Sequence, residues 1–172
     1  MSIPGDDQTF GWGWWRRPKW FEWLMTRAYR FMPRPKNSDE FDRFIGMQEK
    51  IVAKAVKRFG PDGGPTANAR FHLAVSLERA GRQDEARLMY EEVLAANRRH
   101  RDSEDPNVLG AEEHLAMNLF RSGKLGEARS LFAHVRDARE RTLGSGDPAT
   151  QRPSNWIAAI EVAEEQGRGT VA

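Results

Sequence analysis

The side chains of this sequence that could do chemistry are few, and they form no catalytic pattern. Cysteine is absent, which excludes thiolate catalysis and disulfide bonds. We find no phosphate-binding loop, no nucleophile elbow, and no carboxylate pair that differs from ordinary helix-face charges. Residues 60–64, which include three glycines and one proline, predict only a turn. We therefore expect a protein that is not an enzyme and that needs no cofactor.

Two histidines, His72 and His114, are the remaining candidates for chemistry because they occupy equivalent positions 42 residues apart. They can be interpreted as hydrogen-bonding residues of a scaffold, as a pair of imidazoles whose titration makes binding pH-dependent, or as metal ligands. No set of histidine, aspartate and glutamate residues has a recognised metal-ligand spacing. We therefore expect no metal site.

The same offset of 42 residues relates many other pairs, and this fixed register indicates a structural repeat. The repeated segments are Asp105-Pro106 with Asp147-Pro148, His72-Leu73-Ala74 with His114-Leu115-Ala116, Gly81 with Gly123, and Glu85-Ala86-Arg87 with Glu127-Ala128-Arg129. Apolar residues follow helical spacing on both sides of the repeated glycine, so each unit predicts a helical hairpin. The small residues Ala86 and Ala128 allow the paired helices to approach closely.

These residues, with Tyr90, resemble the tetratricopeptide repeat, and the period resembles the kinesin-light-chain subclass. His72 and His114 stand where that subclass usually has asparagine, which favours hydrogen bonding as their role. The resemblance covers about residues 60–167 and implies an all-α fold, a short right-handed α-solenoid of antiparallel hairpins. The expected repeat domain, residues 37–172, contains full repeats at about 65–101 and 107–143 and flanking helices at 38–59 and 153–166.

The resemblance further implies that the first helices line a groove that binds a peptide or helix of a partner protein. Carried over residue by residue, the groove positions are Asn68, Phe71, Val75, Glu78, Arg79, Glu113, Met117, Phe120 and Arg121. The two phenylalanines and Met117 either anchor a partner or belong to the core, and the sequence leaves both open. We expect an interaction scaffold or adaptor. The alternatives are an accessory or structural subunit of a larger complex and a regulatory subunit of an enzyme.

The ends of the array depart from the repeat. The helix at residues 38–59 aligns with second helices, with Ile51 equivalent to Val93, so it predicts a degenerate leading unit whose first helix is interrupted by Pro33 and Pro35. The helix at residues 153–166 predicts a cap with Trp156 in or near the core. Two full hairpins give a shallow groove, so we expect partner contact or a homo-oligomer to complete it.

Residues 1–36 are predicted to be a separate docking segment with a Trp-rich amphipathic helix from residue 19. Five of the six tryptophans lie here, and residues 16–36 carry a net charge of +6. The candidate docking residues are Trp12, Trp14, Trp15, Arg16, Arg17, Trp20, Trp23, Arg27 and Arg30. They suit docking on the repeat body or another subunit, a membrane surface, or, least expected, single-stranded nucleic acid.

The expected location is cytoplasmic, with a peripheral membrane contact as the alternative. No stretch approaches the ~18 consecutive apolar residues of a membrane-spanning helix. Arg16 and Arg17 could begin a twin-arginine export signal, but Glu22 and Arg27 interrupt the apolar region that would have to follow.

Overall fold

The computed structural model describes residues 38–169, and over this range the chain forms six α-helices and no strand. The helices are α1 Ser38–Phe59, α2 Gly64–Arg79, α3 Gln83–His100, α4 Pro106–Arg121, α5 Leu125–Leu143 and α6 Pro148–Gly169. The all-α class predicted from the sequence is confirmed for these residues. The predicted docking segment, residues 1–36, lies outside them.

Each helix packs against the next one along the chain, so α2 with α3 and α4 with α5 form the two predicted hairpins. One hydrophobic cluster runs through the stack from Ile45 in α1 to Ile160 in α6. Ala86 and Ala128 are completely buried, as expected for small residues that let the helices of a hairpin approach closely. The result is a short α-solenoid.

The turn inside each hairpin depends on a glycine. Gly81 and Gly123 have φ angles of +79° and +76°, a left-handed conformation that costs glycine little. After the first glycine, the N–H of Arg82 donates to the carbonyl of Leu77 at 2.9 Å, and the same bond recurs in the second hairpin. This is the Schellman arrangement, which satisfies carbonyls that the end of a helix would otherwise leave unpaired.

The repeated Asp-Pro pairs start α4 and α6. The carboxylates of Asp105 and Asp147 each accept a backbone N–H two residues further on at 2.7 Å, as helix N-caps do. The following proline occupies the first helical position, where its missing N–H is harmless. Helix α6 therefore begins at Pro148, whereas the sequence predicted its start at Pro153.

Pro153 lies inside α6 because another side chain replaces the hydrogen bond that proline cannot make. A residue at position 153 with an N–H would donate it to the carbonyl of Ala149, four residues earlier. That carbonyl instead accepts from Nη1 of Arg139 in α5 at 2.8 Å. The substitute donor lies far from Pro153 in sequence, so the local pattern could not reveal it.

Ser76 and Asn118, which are 42 residues apart, each bind a glutamine of the preceding second helix. In the first case, Nε2 of Gln48 in α1 donates to the hydroxyl of Ser76 in α2 at 2.9 Å. In the second, Nδ2 of Asn118 in α4 donates to Oε1 of Gln83 in α3 at 2.9 Å. Buried polar groups must find partners, so these contacts help to fix the register between neighbouring units.

Candidate protein-binding groove

Aromatic contacts hold the first helices α2, α4 and α6 side by side. The ring of Phe71 in α2 meets that of His114 in α4 edge-on, with centroids 4.7 Å apart. The ring of Phe120 in α4 meets Trp156 in α6 in a similar way at 5.2 Å. Edge-to-face contacts of this kind contribute about 0.5–1.5 kcal/mol beyond the area they bury. They give the predicted groove face a fixed geometry.

Phe71 belongs to the core rather than to an open surface. Its side chain is only 9% exposed, and its ring lies 5.8 Å from that of Tyr90 in α3. A side chain so enclosed by its own hairpin and by α4 offers little area to a partner. Of the two interpretations left open by the sequence, burial favours the core for this residue.

Val75, Met117 and Phe120 occupy an intermediate position. They pack on the hydrophobic cluster while part of each side chain remains accessible to solvent. Trp156, which the sequence placed in or near the core, is likewise partly buried and joins the same face through Phe120. We call these four side chains the first-helix patch.

Charged groups lie beside the patch. Nη1 of Arg121 donates to Oε1 of Glu78, an ion pair that connects α4 to α2. The hydroxyl of Tyr90 donates to the other oxygen of Glu78 at 3.3 Å, and burial raises the pKa of that tyrosine far above its ordinary value. Arg79 and Asn68, which the sequence assigned to the groove, are exposed on α2.

Glu113 was predicted to line the groove, but its carboxylate is directed into the stack. The residue is 5% exposed. Its Oε2 accepts from Nη2 of Arg139 in α5 at 2.7 Å, and its Oε1 lies 3.1 Å from Nε of Arg152 in α6. A carboxylate satisfied by two arginines from two other helices ties α4, α5 and α6 together and is not free for a ligand.

Glu112, next to Glu113, also connects α4 to two other helices, and the sequence did not predict this role. Its side chain is fully buried, with Oε1 2.6 Å from Nη2 of Arg98 in α3 and Oε2 2.6 Å from Nδ1 of His134 in α5. One signal was available, because position 112 falls on the apolar stripe between Val108 and Leu115. A carboxylate on such a stripe must be paired when it is buried.

The two predicted histidines are ring-packing residues. His72 and His114 both contact Phe71, and His114 also stacks on Tyr90 with centroids 5.8 Å apart. One unit later, Trp156 stacks on Phe132 at the same centroid distance. Burial lowers the pKa of His114, so its imidazole is neutral at physiological pH. Residues 38–166 contain no group of three or more side chains suited to holding a metal ion.

The predicted docking residues Trp12 to Arg30 lie outside the residues that the structure describes. Among the helices of residues 38–169, none is long and apolar enough to cross a lipid bilayer.

Comparison with family models finds a match for both repeats. A family model described as tetratricopeptide repeat matches residues 66–107 and 113–149. No curated protein sequence matches the chain.

Solved structures show the same fold. A Podosopora anserina putative kinesin light chain with nearly identical TPR-like repeats aligns with a TM-score of 0.70 and 22% identity, over 90% of this chain and 72% of that one. A variant of it aligns with a TM-score of 0.68 and 23% identity, over 77% and 63%. BtubC (BKLC) from P. vanneervenii aligns with a TM-score of 0.63 and 19% identity, over 74% and 52%. The chain thus spans less than two thirds of the length of two of these three structures.

Proposed function

Because residues 66–107 and 113–149 are tetratricopeptide repeats, we propose that this chain is a non-catalytic scaffold that binds a segment of another protein on its first helices. The observation that carries the proposal is the first-helix patch. Its partly accessible apolar side chains lie on first helices that also carry exposed arginines.

The physical argument starts from the cost of leaving apolar side chains in water. Val75, Met117 and Phe120 keep part of their surface in solvent although the core lies directly beneath them. Covering such surface contributes about 25 cal/mol for each Å² removed from water. Grooves that bind amphipathic helices or extended peptides use a few apolar anchors of this kind, so the patch suits a partner that supplies apolar side chains.

The charged residues beside the first-helix patch favour a bound segment of negative charge. Arg79 and Arg121 occupy equivalent positions on α2 and α4, and both are exposed. Arg121 forms an ion pair with Glu78. Glu113 is paired with Arg139 inside the stack, so it adds no accessible negative charge to this surface. We therefore propose that the bound segment carries apolar anchors flanked by acidic residues, and that salt weakens its binding.

The test compares variants of the full chain. Wild-type protein and the double variant Met117→Ala/Phe120→Ala are used to capture partners from the source cells, and each captured protein is then titrated by calorimetry. Loss of the two anchors should weaken binding by about 1–4 kcal/mol. The matched control is Leu88→Ala, because Leu88 is an exposed apolar residue on α3 rather than on a first helix.

Two results would contradict the proposal. Equal binding by the wild type and the double variant, with both folded, would place the partner elsewhere. Equal weakening by Leu88→Ala would show that α3 contributes as much as the first helices. Circular dichroism and the urea midpoint of each variant verify that the fold is intact, so that lost binding is not confused with lost structure.

The proposal includes docking through the N-terminal segment, residues 1–36. Its support is compositional, since the segment combines five tryptophans with a strong positive charge. In this proposal the segment joins the scaffold to a larger assembly or to a membrane surface rich in anionic lipid. Co-sedimentation of the full chain with anionic vesicles at low and high salt separates these destinations, because attraction to lipid headgroups falls as salt rises.

A further inference from the structure

Helix α1 exposes an apolar side chain at a position that is buried in the complete hairpins. Ile51 is 49% exposed, whereas the equivalent residues Val93 in α3 and Val135 in α5 are 4% and 0% exposed. Met47, one turn earlier on the same side of α1, is 44% exposed. The same register position is therefore covered in two second helices and open in the third.

The difference arises because α1 uses only one of its two apolar faces. Ile45, Gln48 and Ala55 are buried, and Gln48 binds Ser76 of α2, so this face makes the contact between units. In the second hairpin the residue equivalent to Ile51, Val135 of α5, clusters with Leu109 of α4, the first helix of its own hairpin. By the same register, Phe44, Met47 and Ile51 form a second apolar face of α1. We call it the hairpin face of α1.

We propose that residues 19–32 of this same chain cover the hairpin face of α1 as the first helix of a third hairpin. The chain immediately before α1 has the required length. Residues 80–82 and 122–124 connect the helices of the two complete hairpins, and residues 33–37 would connect this one. Connections of 2–5 residues are usual between antiparallel helices. Pro33 and Pro35 then lie in the connection, where they interrupt no helix.

The sequence of the segment matches the face that it would cover. Counting equal distances in both directions from Pro35 places Met47 opposite Trp23 and Ile51 opposite residue 19, beside Trp20. With Leu24, Ala28 and Phe31 these tryptophans form the apolar stripe of residues 19–32. The stripe would cover side chains that residues 38–169 leave in solvent.

This inference narrows the docking proposal without depending on the groove. If residues 19–32 are held on α1, the tryptophans left for a partner or a membrane are Trp12, Trp14 and Trp15, with Arg16 and Arg17 beside them. A failure of the experiments below would leave the proposed groove untouched, because they involve neither the first-helix patch nor its partner.

Cross-linking of the full chain tests the contact directly. The protein has no cysteine, so engineered thiols are the only ones present. One variant carries Leu24→Cys and Met47→Cys. Its control carries Leu24→Cys and Glu49→Cys, since Glu49 lies on the opposite side of α1 from Met47. A short bis-maleimide should join the first pair within a monomer, and the control pair should give at least tenfold less product.

The outcomes distinguish the occupants of the hairpin face. Cross-linked dimers without the intramolecular product would assign the face to a second copy of the chain and overturn the proposal. Equal yields from both pairs would overturn it as well. Anionic vesicles could also bind the segment and abolish the intramolecular product. That outcome would support the contact with α1 and show that lipid competes with it. Absence of any product without vesicles would refute it.

A second measurement does not depend on cross-linking geometry. Ile51→Asp should shift the tryptophan emission of the full chain to longer wavelength, because it places a carboxylate under Trp20 and Trp23. Leu88→Asp is the control, since Leu88 has nearly the same exposure, 50% against 49%, and lies on α3. A red shift confined to Ile51→Asp supports the contact. Unchanged emission in both variants refutes it.

Discussion

Replacing Arg139 by methionine should destabilise the stack strongly because this buried guanidinium has two partners. Nη2 donates to Glu113 at 2.7 Å, and Nη1 donates to the carbonyl of Ala149 at 2.8 Å. The side chain is 1% exposed, so no water can replace either contact without rearrangement. Methionine keeps an unbranched apolar chain about as long as the aliphatic part of arginine and removes both donors.

The magnitude follows from the two losses. Removing one partner of a buried ion pair costs about 3–5 kcal/mol. Arg152 still lies 3.1 Å from Glu113 in the variant, so we take the lower end, about 3 kcal/mol, for that contact. The unpaired carbonyl of Ala149 adds about 1 kcal/mol. The free energy of unfolding should therefore fall by about 4 kcal/mol in total.

Urea unfolding followed by far-ultraviolet circular dichroism measures this difference. The matched control is Arg136→Met on the same helix. Arg136 is partly exposed and pairs with its neighbour Asp137, so its loss should cost no more than about 1 kcal/mol. A loss below about 1 kcal/mol for Arg139→Met, or one equal to the control, would refute the argument.

A double-mutant cycle tests the link to Pro153. Pro153→Ala restores an N–H that can donate to the carbonyl of Ala149. This change should therefore be more favourable by about 1 kcal/mol in the Arg139→Met background than in the wild type. The cycle cancels effects of proline on the unfolded chain. Zero coupling would mean that Arg139 does not replace the missing helical hydrogen bond.

Three further predictions concern single residues, each measured by urea unfolding. Phe71→Ala should lower the free energy of unfolding by about 3–5 kcal/mol, and Phe120→Ala by clearly less because it is partly exposed; equal losses would contradict the core assignment of Phe71. Burial lowers the pKa of His114 in the folded state, so the unfolded chain binds the proton first and stability should fall as the pH drops below about 6.5. His114→Phe should reduce that slope, and an unchanged slope would refute this reasoning. Asp147→Ala should cost about 1 kcal/mol through loss of the α6 cap, and no measurable change would contradict the capping role.

Local signals in the sequence were sufficient to predict most of the fold. The helix ends at Gly81 and Gly123 follow from the backbone freedom of glycine, and the start of α4 follows from the Asp-Pro pair. These features depend on residues within one turn of each other. The start of α6 was predicted too late because the donor that makes Pro153 tolerable lies in another helix.

The candidate site was less predictable because periodicity shows which side of a helix is apolar, and not how deeply a neighbour covers it. The sequence left both Phe71 and Phe120 open as core residues or partner anchors. In the structure, α3 and α4 enclose Phe71 more completely. Glu113 was assigned to the groove by its register. Its burial depends on Arg139 and Arg152, whose positions only the assembled helices reveal.

The order in which the helices pack is also the order in which a ribosome would make them. Each helix contacts chiefly its neighbours in sequence, so a hairpin can form as soon as its own residues have emerged. Folding dominated by such local contacts is fast. Until the next helix has been synthesised, however, the most recent helix keeps one apolar side exposed to solvent. The nascent chain is therefore most prone to aggregation at its growing end. The apolar side of α5 is covered once α6 packs on it.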